Sequence, residues 1–421
     1  MMNLFQSLAR EFHAVKSVAG NVFIVRKATL FASAIAASVL LAACGGGGGA
    51  DAPNANANAS ASASTATTAV AASDAPAASS TGTTDAAASD SAAASGTVAP
   101  SSSAPASTDK TSTTAKIFYG ANGHNNGGGA YDISSPALQL SQLQNLGVKL
   151  YRNEVYNQAS VNKLAGIAKT MAAGGVTVYP VLLIGNNLNS ETDAYNAGYT
   201  LGRQTAHSYR YPYYEVSNEL GSSNGALVGN VDGVYPQQYN NAIFQKARGA
   251  IRGLIAGIKS VDTSGKIILG GETWLHYGFD QMLAAGTQPD GSGGHPVVTW
   301  DITAWHWYSE QGDITNACGG TGCHNVLGVL KQFGKPIWLT EFGVRPWHGS
   351  DQQIASYMIG NRMMAQFVSV ASQYNVQAIQ VYQLYDDPSG GEGSYGLLKN
   401  DGKTQKAAYT AFRNFVASNP K

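Results

Sequence analysis

Residues 213–220 read YYEVSNEL, and residues 337–343 read IWLTEFG. Both are short apolar runs typical of a buried strand, and each carries a glutamate, Glu219 or Glu341, where the strand is expected to end. Charged side chains are seldom buried at such a place without a partner, because an ionised carboxylate loses its hydration there. Two of them, from distant parts of the chain, predict one pocket in which paired carboxyl groups act together.

Apolar strands alternate with helical stretches from Lys116 onward. We predict eight strands, at 117–123, 148–155, 176–184, 213–220, 266–274, 302–308, 337–344 and 376–385. Helices are predicted between them, for instance at 160–173, 236–261, 352–374 and 404–417. Strands that alternate with helices form a parallel sheet, and eight such units over about 300 residues have the size of a (β/α)8 barrel.

A doubly wound open sheet is the rival architecture, and it carries a glycine-rich phosphate loop after an early strand. Residues 127–129 are three glycines that follow the first predicted strand, but the GxGxxG spacing is missing. We therefore predict the α/β class, with a (β/α)8 TIM barrel over residues 116–421 that is preceded by a disordered tether.

The residues before the predicted barrel have a different character. Arg26-Lys27, the apolar run from Ala28 to Leu41 and the LAAC sequence that ends at Cys44 resemble a bacterial lipoprotein signal, in which that cysteine is lipidated. A transmembrane anchor is the alternative, but the apolar run is shorter than the roughly 20 residues that a spanning helix needs. We therefore predict a lipoprotein signal peptide over residues 1–44.

Residues 45–115 consist of Gly, Ala, Ser, Thr, Asp and Pro with almost no aromatic residue. Such a segment cannot bury enough apolar surface to offset the entropy lost on ordering, so it is predicted to be a disordered linker. The lipid at Cys44 would attach the domain to a membrane. Gly45 after that cysteine is not an inner-membrane retention signal, which favours the outer membrane, facing the periplasm.

Cys318 and Cys323 are the two cysteines that remain, and in an exported protein this spacing predicts a short-loop disulfide. A metal site that includes His324 is the alternative, but a zinc-type ligand spacing is missing. We therefore predict no metal and no cofactor. The chain has 26 basic and 26 acidic residues, so it lacks the basic balance typical of nucleic-acid binding.

Barrel enzymes carry out their chemistry at the carboxyl ends of the strands. Polar and aromatic side chains fall at nearly all of these ends, as a sugar-binding cleft requires. The candidates are Asn122, His124, Arg152, Asn218, Glu219, Trp274, His306, Tyr308, Glu341 and Tyr385. Glu272, which also ends a strand, is the rival carboxylate for a catalytic role. His306 has a second interpretation as a core histidine, and Arg152 as part of a surface ion pair.

Asn218-Glu219 after the fourth strand, Thr340-Glu341 on the seventh and His306-x-Tyr308 on the sixth resemble the retaining glycoside hydrolases of clan A. The resemblance covers about residues 117–419. It is closest to glycoside hydrolase family 39, which includes bacterial exopolysaccharide-cleaving members, and family 5 is a near alternative.

The resemblance implies that Glu219 is the acid/base, that Glu341 is the nucleophile and that Arg152 braces the nucleophile. Tyr385 departs from the clan's pattern, because a tryptophan often stands at the end of strand eight. From the chemistry, Glu341 has to be ionised, with Arg152 and Tyr308 as donors, and Glu219 has to donate a proton. Asn218 is expected to bind the sugar 2-hydroxyl. Retention requires carboxyl groups about 5–5.5 Å apart, and inversion about 6.5–9.5 Å.

The leading hypothesis is a lipid-anchored, monomeric retaining glycoside hydrolase that cleaves β-linked polysaccharide, endo-acting and related to exopolysaccharide. A hemicellulose-type β-glycosidase, acting on xylan, mannan or glucan, is the alternative substrate class. A non-catalytic carbohydrate-binding lipoprotein and a structural envelope lipoprotein are the other classes of protein. Neither needs two carboxylates in one pocket, so the pair disfavours both.

Overall fold

The computed structural model describes residues 118–185, 188–223, 225–387 and 393–420. The predicted signal peptide over residues 1–44, its lipidation site Cys44 and the predicted linker over residues 45–115 lie outside the described residues. Within the described ranges, no helix is both long enough and apolar enough to cross a membrane.

Eight parallel strands alternate with helices and close into a barrel, which confirms the predicted (β/α)8 TIM fold. The ten strands of the described chain are β1 (Phe118–Gly123), β2 (Leu150–Val155), β3 (Thr177–Leu182), β4 (Tyr213–Val216), β5 (Lys266–Thr273), β6 (Ile302–Tyr308), β7 (Ala317–Gly319), β8 (Gly322–His324), β9 (Ile337–Gly343) and β10 (Val376–Val381). The barrel order is β1-β10-β9-β6-β5-β4-β3-β2, and β7 and β8 form a separate hairpin.

Ten α-helices stand in the described ranges, most of them between successive barrel strands. They are α1 (Ala130–Ile133), α2 (Pro136–Leu146), α3 (Gln158–Ala173), α4 (Glu191–Ser208), α5 (Asn241–Lys259), α6 (Tyr277–Ala285), α7 (Val326–Lys331), α8 (Asp351–Met358), α9 (Met364–Tyr374) and α10 (Ala407–Ser418). Polar side chains cap several of them, as Asn157 does for α3 and Asn240 for α5.

The strand predicted over 376–385 ends at Val381, and three other predicted boundaries were wrong for local reasons. β4 ends at Val216 rather than at residue 220, because Ser217 and Glu219 have φ angles of 80° and 46° that break the strand ladder. The helix predicted over 236–261 starts with a 3₁₀ turn, and α5 begins only at Asn241. The helix predicted over 352–374 is divided into α8 and α9 near Gly360, a residue type unfavourable inside a helix.

The predicted disulfide between Cys318 and Cys323 is confirmed, and it joins β7 to β8. His324, the third group of the alternative metal site, is hydrogen-bonded at both ring nitrogens instead. Its Nδ1 lies 2.9 Å from the Tyr277 hydroxyl, and its Nε2 lies 2.9 Å from Thr321 Oγ1. The histidine therefore anchors the hairpin to α6.

Helices α4 and α5 pack backbone against backbone through five glycines. A Cβ on Gly253 would lie 2.0 Å from the Tyr195 carbonyl oxygen, a distance that no real structure accommodates. The other glycines of this contact, which would collide with facing carbonyl oxygens at 2.1–2.4 Å, are Gly198, Gly202, Gly249 and Gly257. The fourth-residue spacing places them on one face of each helix, so the sequence needs glycine at all five positions.

Gly253→Ala is expected to lower the free energy of unfolding by about 1–3 kcal/mol, because the two helices must move apart to admit the methyl group. Gly166→Ala is the matched control, since Gly166 lies exposed inside α3 and an added Cβ would meet nothing within 4 Å. That control is expected to stabilise the protein by about 0.4–1 kcal/mol. Urea unfolding of both variants measures the difference, and equal effects would contradict the packing argument.

Candidate active site

Arg152 occupies the centre of the site. It lies on β2, two residues after Leu150 and on the same inward face, and only 3% of it is exposed. Its Nε and Nη2 atoms donate to the two carboxylate oxygens of Glu215 at 2.6 and 3.0 Å. Nη1 donates to Asn122 Oδ1 at 2.9 Å, and Nη2 donates to Asn218 Oδ1 at 2.6 Å. The planar guanidinium group is therefore fixed in direction, because it is held on several sides.

Glu215 is a site residue that the sequence analysis did not predict. It lies within β4, is fully buried, and also accepts a hydrogen bond from Gly271 N at 3.2 Å. The sequence does contain a pattern that indicates Glu215, since a glutamate inside the apolar run YYEV needs a buried cation as its partner. Arg152 is that cation, and the interpretation of this arginine as part of a surface pair was wrong.

Glu341 lies on β9 and is 6% exposed. Its Oε1 accepts a hydrogen bond from Arg152 Nη1 at 2.5 Å, and its Oε2 accepts one from the Tyr308 hydroxyl at 2.7 Å. Burial alone would raise the pKa of Glu341, but the charges of His306 and Arg152 and the Tyr308 hydrogen bond outweigh it and lower that pKa. Glu341 is therefore an ionised carboxylate at neutral pH.

Glu219 lies in the loop after β4, and 30% of its side chain is exposed. His306 Nδ1 lies 2.7 Å from its Oε1 and 3.5 Å from Oε2 of Glu341, so the imidazole stands between the two carboxyl groups. Burial would lower the pKa of His306, but the neighbouring carboxylates of Glu341 and Glu219 raise it. Oxygen atoms of Glu219 and Glu341 lie within 4.8 Å of each other.

Two adjacent glycines on β5 make this arrangement possible. A Cβ on Gly271 would lie 2.3 Å from His306 Nε2, and one on Gly270 would lie 2.4 Å from the carbonyl oxygen of Ser217. Only glycine leaves room for the imidazole and for the turn that leads to Glu219. His306 is fully buried between the two glutamates and braces both, so its predicted contact with substrate gains no support from this position.

Tyrosine rings form a wall beside Glu341. The rings of Tyr308, Tyr382 and Tyr395 contact one another edge to face, with centroids 5.5–6.1 Å apart. The Arg345 guanidinium lies 4.3 Å from the centroid of the Tyr308 ring. Edge-to-face aromatic contacts and a cation over a ring both hold the phenol that donates to Glu341 in place.

His124 and Trp274 are partly exposed at the same end of the barrel. His124 Nδ1 lies 2.6 Å from Glu154 Oε1, and its ring packs 5.2 Å from that of Tyr382. The Trp274 indole stacks on Trp307 with centroids 6.1 Å apart and planes 25° apart. Both side chains keep one accessible edge, which suits the predicted contact with sugar.

Two other predicted cleft residues are buried. Asn122 is 1% exposed and donates to the Thr340 carbonyl oxygen at 2.9 Å, so it braces Arg152 instead of facing a substrate. Tyr385 is fully buried and its hydroxyl group is hydrogen-bonded to Gln142, so its predicted contact with sugar gains no support from this position. Tyr382, three residues earlier, lies directly after β10, and its ring packs 5.2 Å from that of His124.

Glu219, His306 and Glu341 are also the side chains that could hold a metal ion. They are the one group of three in the described part of the chain whose potential ligand atoms lie within 4.8 Å of one another. His306 Nδ1, Glu219 Oε1 and both carboxylate oxygens of Glu341 have hydrogen-bond partners inside the site, namely Arg152, Tyr308 or another member of the group. The hydrogen bonds explain the cluster without an ion.

Residues 261–410 match the family model described as the glycosyl hydrolase catalytic core. The match includes His306, Tyr308 and Glu341 and begins after Arg152 and Glu219. No curated protein matches the chain.

Solved structures of glycosidases are similar to this chain at low sequence identity. A GH5_18 protein from Streptomyces cattleya in complex with GlcNAc is 15% identical, with 72% of this chain and 80% of that chain covered and a TM-score of 0.47. An exo-β-1,4-mannosidase from Opitutaceae bacterium strain TAV5 is 15% identical, with 74% of this chain and 62% of that chain covered and a TM-score of 0.46. The β-glycosidase of Thermosphaera aggregans is 11% identical, with 72% and 96% covered and a TM-score of 0.51.

His276 provides a pH-dependent test of the packing beside the site. Burial lowers the pKa of His276 to about 4, whereas an exposed histidine titrates near 6.5. The unfolded chain therefore takes up a proton as the pH falls below about 6.5, but the folded chain does not do so until about 4. The free energy of unfolding therefore falls as the pH is lowered from about 6.5 to about 4, and the loss reaches about 2 kcal/mol at pH 5.

Between about pH 7.5 and about pH 5, the free energy of unfolding of His276→Gln is expected to fall by about 2 kcal/mol less than that of the wild type. Urea unfolding at the two pH values measures the difference. The glutamine cannot take up a proton in this range, whereas all other titrating groups are the same in both proteins. Parallel pH dependence of the two proteins would show that His276 is protonated in the folded state.

Proposed function

We propose that this protein is a retaining glycoside hydrolase that cleaves β-glycosidic bonds of a polysaccharide. The observation that carries the proposal is the asymmetric pair of glutamates. Glu341 is buried with two donors and ionised, whereas Glu219 is partly exposed and bonded to His306. Carboxyl oxygens within 4.8 Å of each other fit the spacing of about 5–5.5 Å for retention better than the 6.5–9.5 Å for inversion.

The reaction is a double displacement. In the first step, Glu341 attacks the anomeric carbon while the bond to the leaving oxygen breaks and Glu219 gives that oxygen a proton. In the second step, Glu219 removes a proton from water, the water oxygen attacks the same carbon, and Glu341 departs. Two inversions at one carbon retain its configuration. Arg152 and Tyr308 hold the attacking carboxylate, and Asn218 is placed for the 2-hydroxyl.

The proposal of a polymer substrate and endo cleavage is supported by exposed aromatic side chains in the loops that follow two strands of the site. Trp347 is 65% exposed and Tyr235 is 53% exposed, and they lie in the loops after β9 and β4, the strands that lead to Glu341 and Glu219. Exposed aromatic rings are expected to stack on sugars outside the cleavage site. Exopolysaccharide is the proposed polymer, and hemicellulose is the second candidate.

The proposed setting is the cell envelope. A lipid on Cys44 would attach a monomeric barrel to the outer membrane on its periplasmic side, and residues 45–115 would serve as its tether. The support is the sequence pattern around residues 26–44 together with the disulfide, a bond that persists in oxidising compartments. Labelling with radioactive palmitate in wild-type and Cys44→Ala cells tests the anchor, since only the wild type should retain the label in the membrane fraction.

The function is tested by incubating the wild type with bacterial exopolysaccharides, xylan, mannan and β-glucans, and following the products by NMR. We expect new reducing ends on one polymer that carry the β configuration before they mutarotate. Products that first appear in the α configuration would contradict retention. Binding of a polymer without cleavage would favour the non-catalytic carbohydrate-binding class.

A further inference from the structure

Two buried carboxyl groups lie behind the loop that carries Glu219, and the proposed reaction uses neither of them. Glu272 near the end of β5 is 1% exposed, and Asp280 in the first turn of α6 is fully buried. Among the described residues, neither carboxyl oxygen of Asp280 has a hydrogen-bond partner, and Oε2 of Glu272 has none. Buried polar atoms without partners are rare in folded proteins, so the pair needs an explanation.

The remaining oxygen of this pair has one specific partner. Oε1 of Glu272 accepts a hydrogen bond from the backbone N–H of Gly221 at 2.8 Å. Gly221 follows Glu219 by two residues, and Glu219 N itself donates to the Gly271 carbonyl oxygen of β5 at 2.9 Å. The loop is therefore fastened to β5 at two points, one on each side of Leu220.

The contact with Gly221 is close on both sides. A Cβ at this position would lie 2.9 Å from Glu272 Oε2 and 2.8 Å from the Phe279 ring. Only glycine lets the loop approach the carboxyl group this closely. The contact therefore requires glycine at position 221 and an acceptor oxygen at position 272.

The loop needs such support because its backbone is strained. Ser217 and Glu219 have φ angles of 80° and 46°, in the left-handed region that residues other than glycine rarely adopt. A residue held there costs on the order of 1–3 kcal/mol and persists only when its surroundings fix it. In this conformation the Glu219 carboxyl group meets His306 Nδ1 at 2.7 Å.

The charge state of the pair fits a supporting role. Burial, and then the neighbouring Asp280, raise the pKa of Glu272 well above its ordinary value, and burial raises the pKa of Asp280 in the same way. A neutral carboxylic acid accepts the Gly221 hydrogen bond without leaving an unpaired charge in the interior. Glu272 is too deeply buried to reach a substrate, which excludes it as the rival catalytic carboxylate.

We propose that Glu272 is a positioning residue for the acid/base. By accepting the Gly221 N–H bond, it fixes the strained loop and so aims the Glu219 carboxyl group at the glycosidic oxygen. The proposal rests on the proposed function, because it assigns Glu272 a part in the same reaction.

Substrates with different leaving groups distinguish a misplaced acid/base from a general loss of structure in the site. The probes are 2,4-dinitrophenyl and phenyl β-glycosides of glucose, mannose, galactose and xylose, and of their β-1,4-linked disaccharides. Dinitrophenolate departs without a proton, whereas phenolate needs one from Glu219. Glu272→Leu removes the acceptor for Gly221 N–H, and Glu272→Gln keeps an acceptor oxygen of the same reach.

In Glu272→Leu, we expect kcat/KM for the phenyl glycoside to fall at least about 100-fold more than for the dinitrophenyl glycoside. Glu272→Gln should keep both values within a few-fold of the wild type. Glu219→Gln serves as the reference, since it removes the acid itself and should show the same selective loss. Equal losses on both glycosides in Glu272→Leu would overturn the proposal, because they indicate a purely structural role.

A second variant keeps the test valid if Glu272→Leu does not fold. Gly221→Ala pushes the loop away from Glu272 and should produce the same selective loss on the phenyl glycoside, whereas unchanged leaving-group dependence overturns the proposal. The proposed function and the role of Glu272 can each be overturned separately. A wild type that cleaves none of the probes or polymers overturns the function and this inference together, whereas an active wild type whose Glu272 variants show no selectivity overturns the inference alone.

Discussion

Glu341→Gln is expected to abolish cleavage, with kcat lower by about 10⁵-fold, because the variant lacks the nucleophile that forms the glycosyl-enzyme bond. The amide fills the volume of the carboxyl group, and its oxygen can still accept from Arg152 Nη1 or from Tyr308. The pocket should therefore keep its shape and its affinity for glycan. Reducing-end release measures the first effect, and calorimetric titration with an oligosaccharide of the cleaved polymer measures the second.

Glu191→Gln is the matched control, since it makes the same change in a helical glutamate that pairs with Arg248 outside the site. Its cleavage rate should stay within a few-fold of the wild type. Residual activity above about 1% in Glu341→Gln would contradict its assignment as the nucleophile, because loss of a covalent nucleophile leaves far less. Loss of glycan binding together with cleavage would instead show that the amide disturbs the pocket.

The barrel could be predicted from the sequence because its strands are buried on both faces. Such strands read as continuous apolar runs, for example at 302–308 and 337–343, and these two were placed correctly to within a residue. Strand ends then showed where Glu341 and Tyr308 lie, since a parallel barrel collects all carboxyl ends on one face.

The parts that could not be predicted depend on backbone turns and on side chains that meet across the barrel. Nothing in the sequence of 376–385 reveals that β10 ends at Val381, so the predicted strand runs four residues too far and takes in Tyr385, which is fully buried. The same holds for Ser217, whose positive φ moves Glu219 off the strand. Glu215 was missed because its partner lies 63 residues away, and only the closed barrel brings the two together.

Arg152→Met is expected to lower the free energy of unfolding by about 3–5 kcal/mol, because it leaves Glu215 buried without its cation and leaves Glu341 with His306 as its remaining positive neighbour. Glu215 is fully buried and would lose both hydrogen bonds to the guanidinium group, and Glu341 would lose one. Urea unfolding measures the stability. Activity should fall as well, and its acidic limb should move to higher pH, since removing the charge that lowers the pKa of Glu341 raises that pKa.

A double variant separates the two contributions of Arg152. Arg152→Met with Glu215→Leu removes both ends of the buried pair, so most of the lost stability should return, because an apolar pair of similar volume needs no partner. Activity should remain low, since Glu341 would still lack its hydrogen bond from the guanidinium group and Asn218 would lack its anchor. Recovery of activity along with stability would show that Arg152 serves only to stabilise the barrel. Tyr308 and His306 would then be sufficient to keep Glu341 ionised and in place.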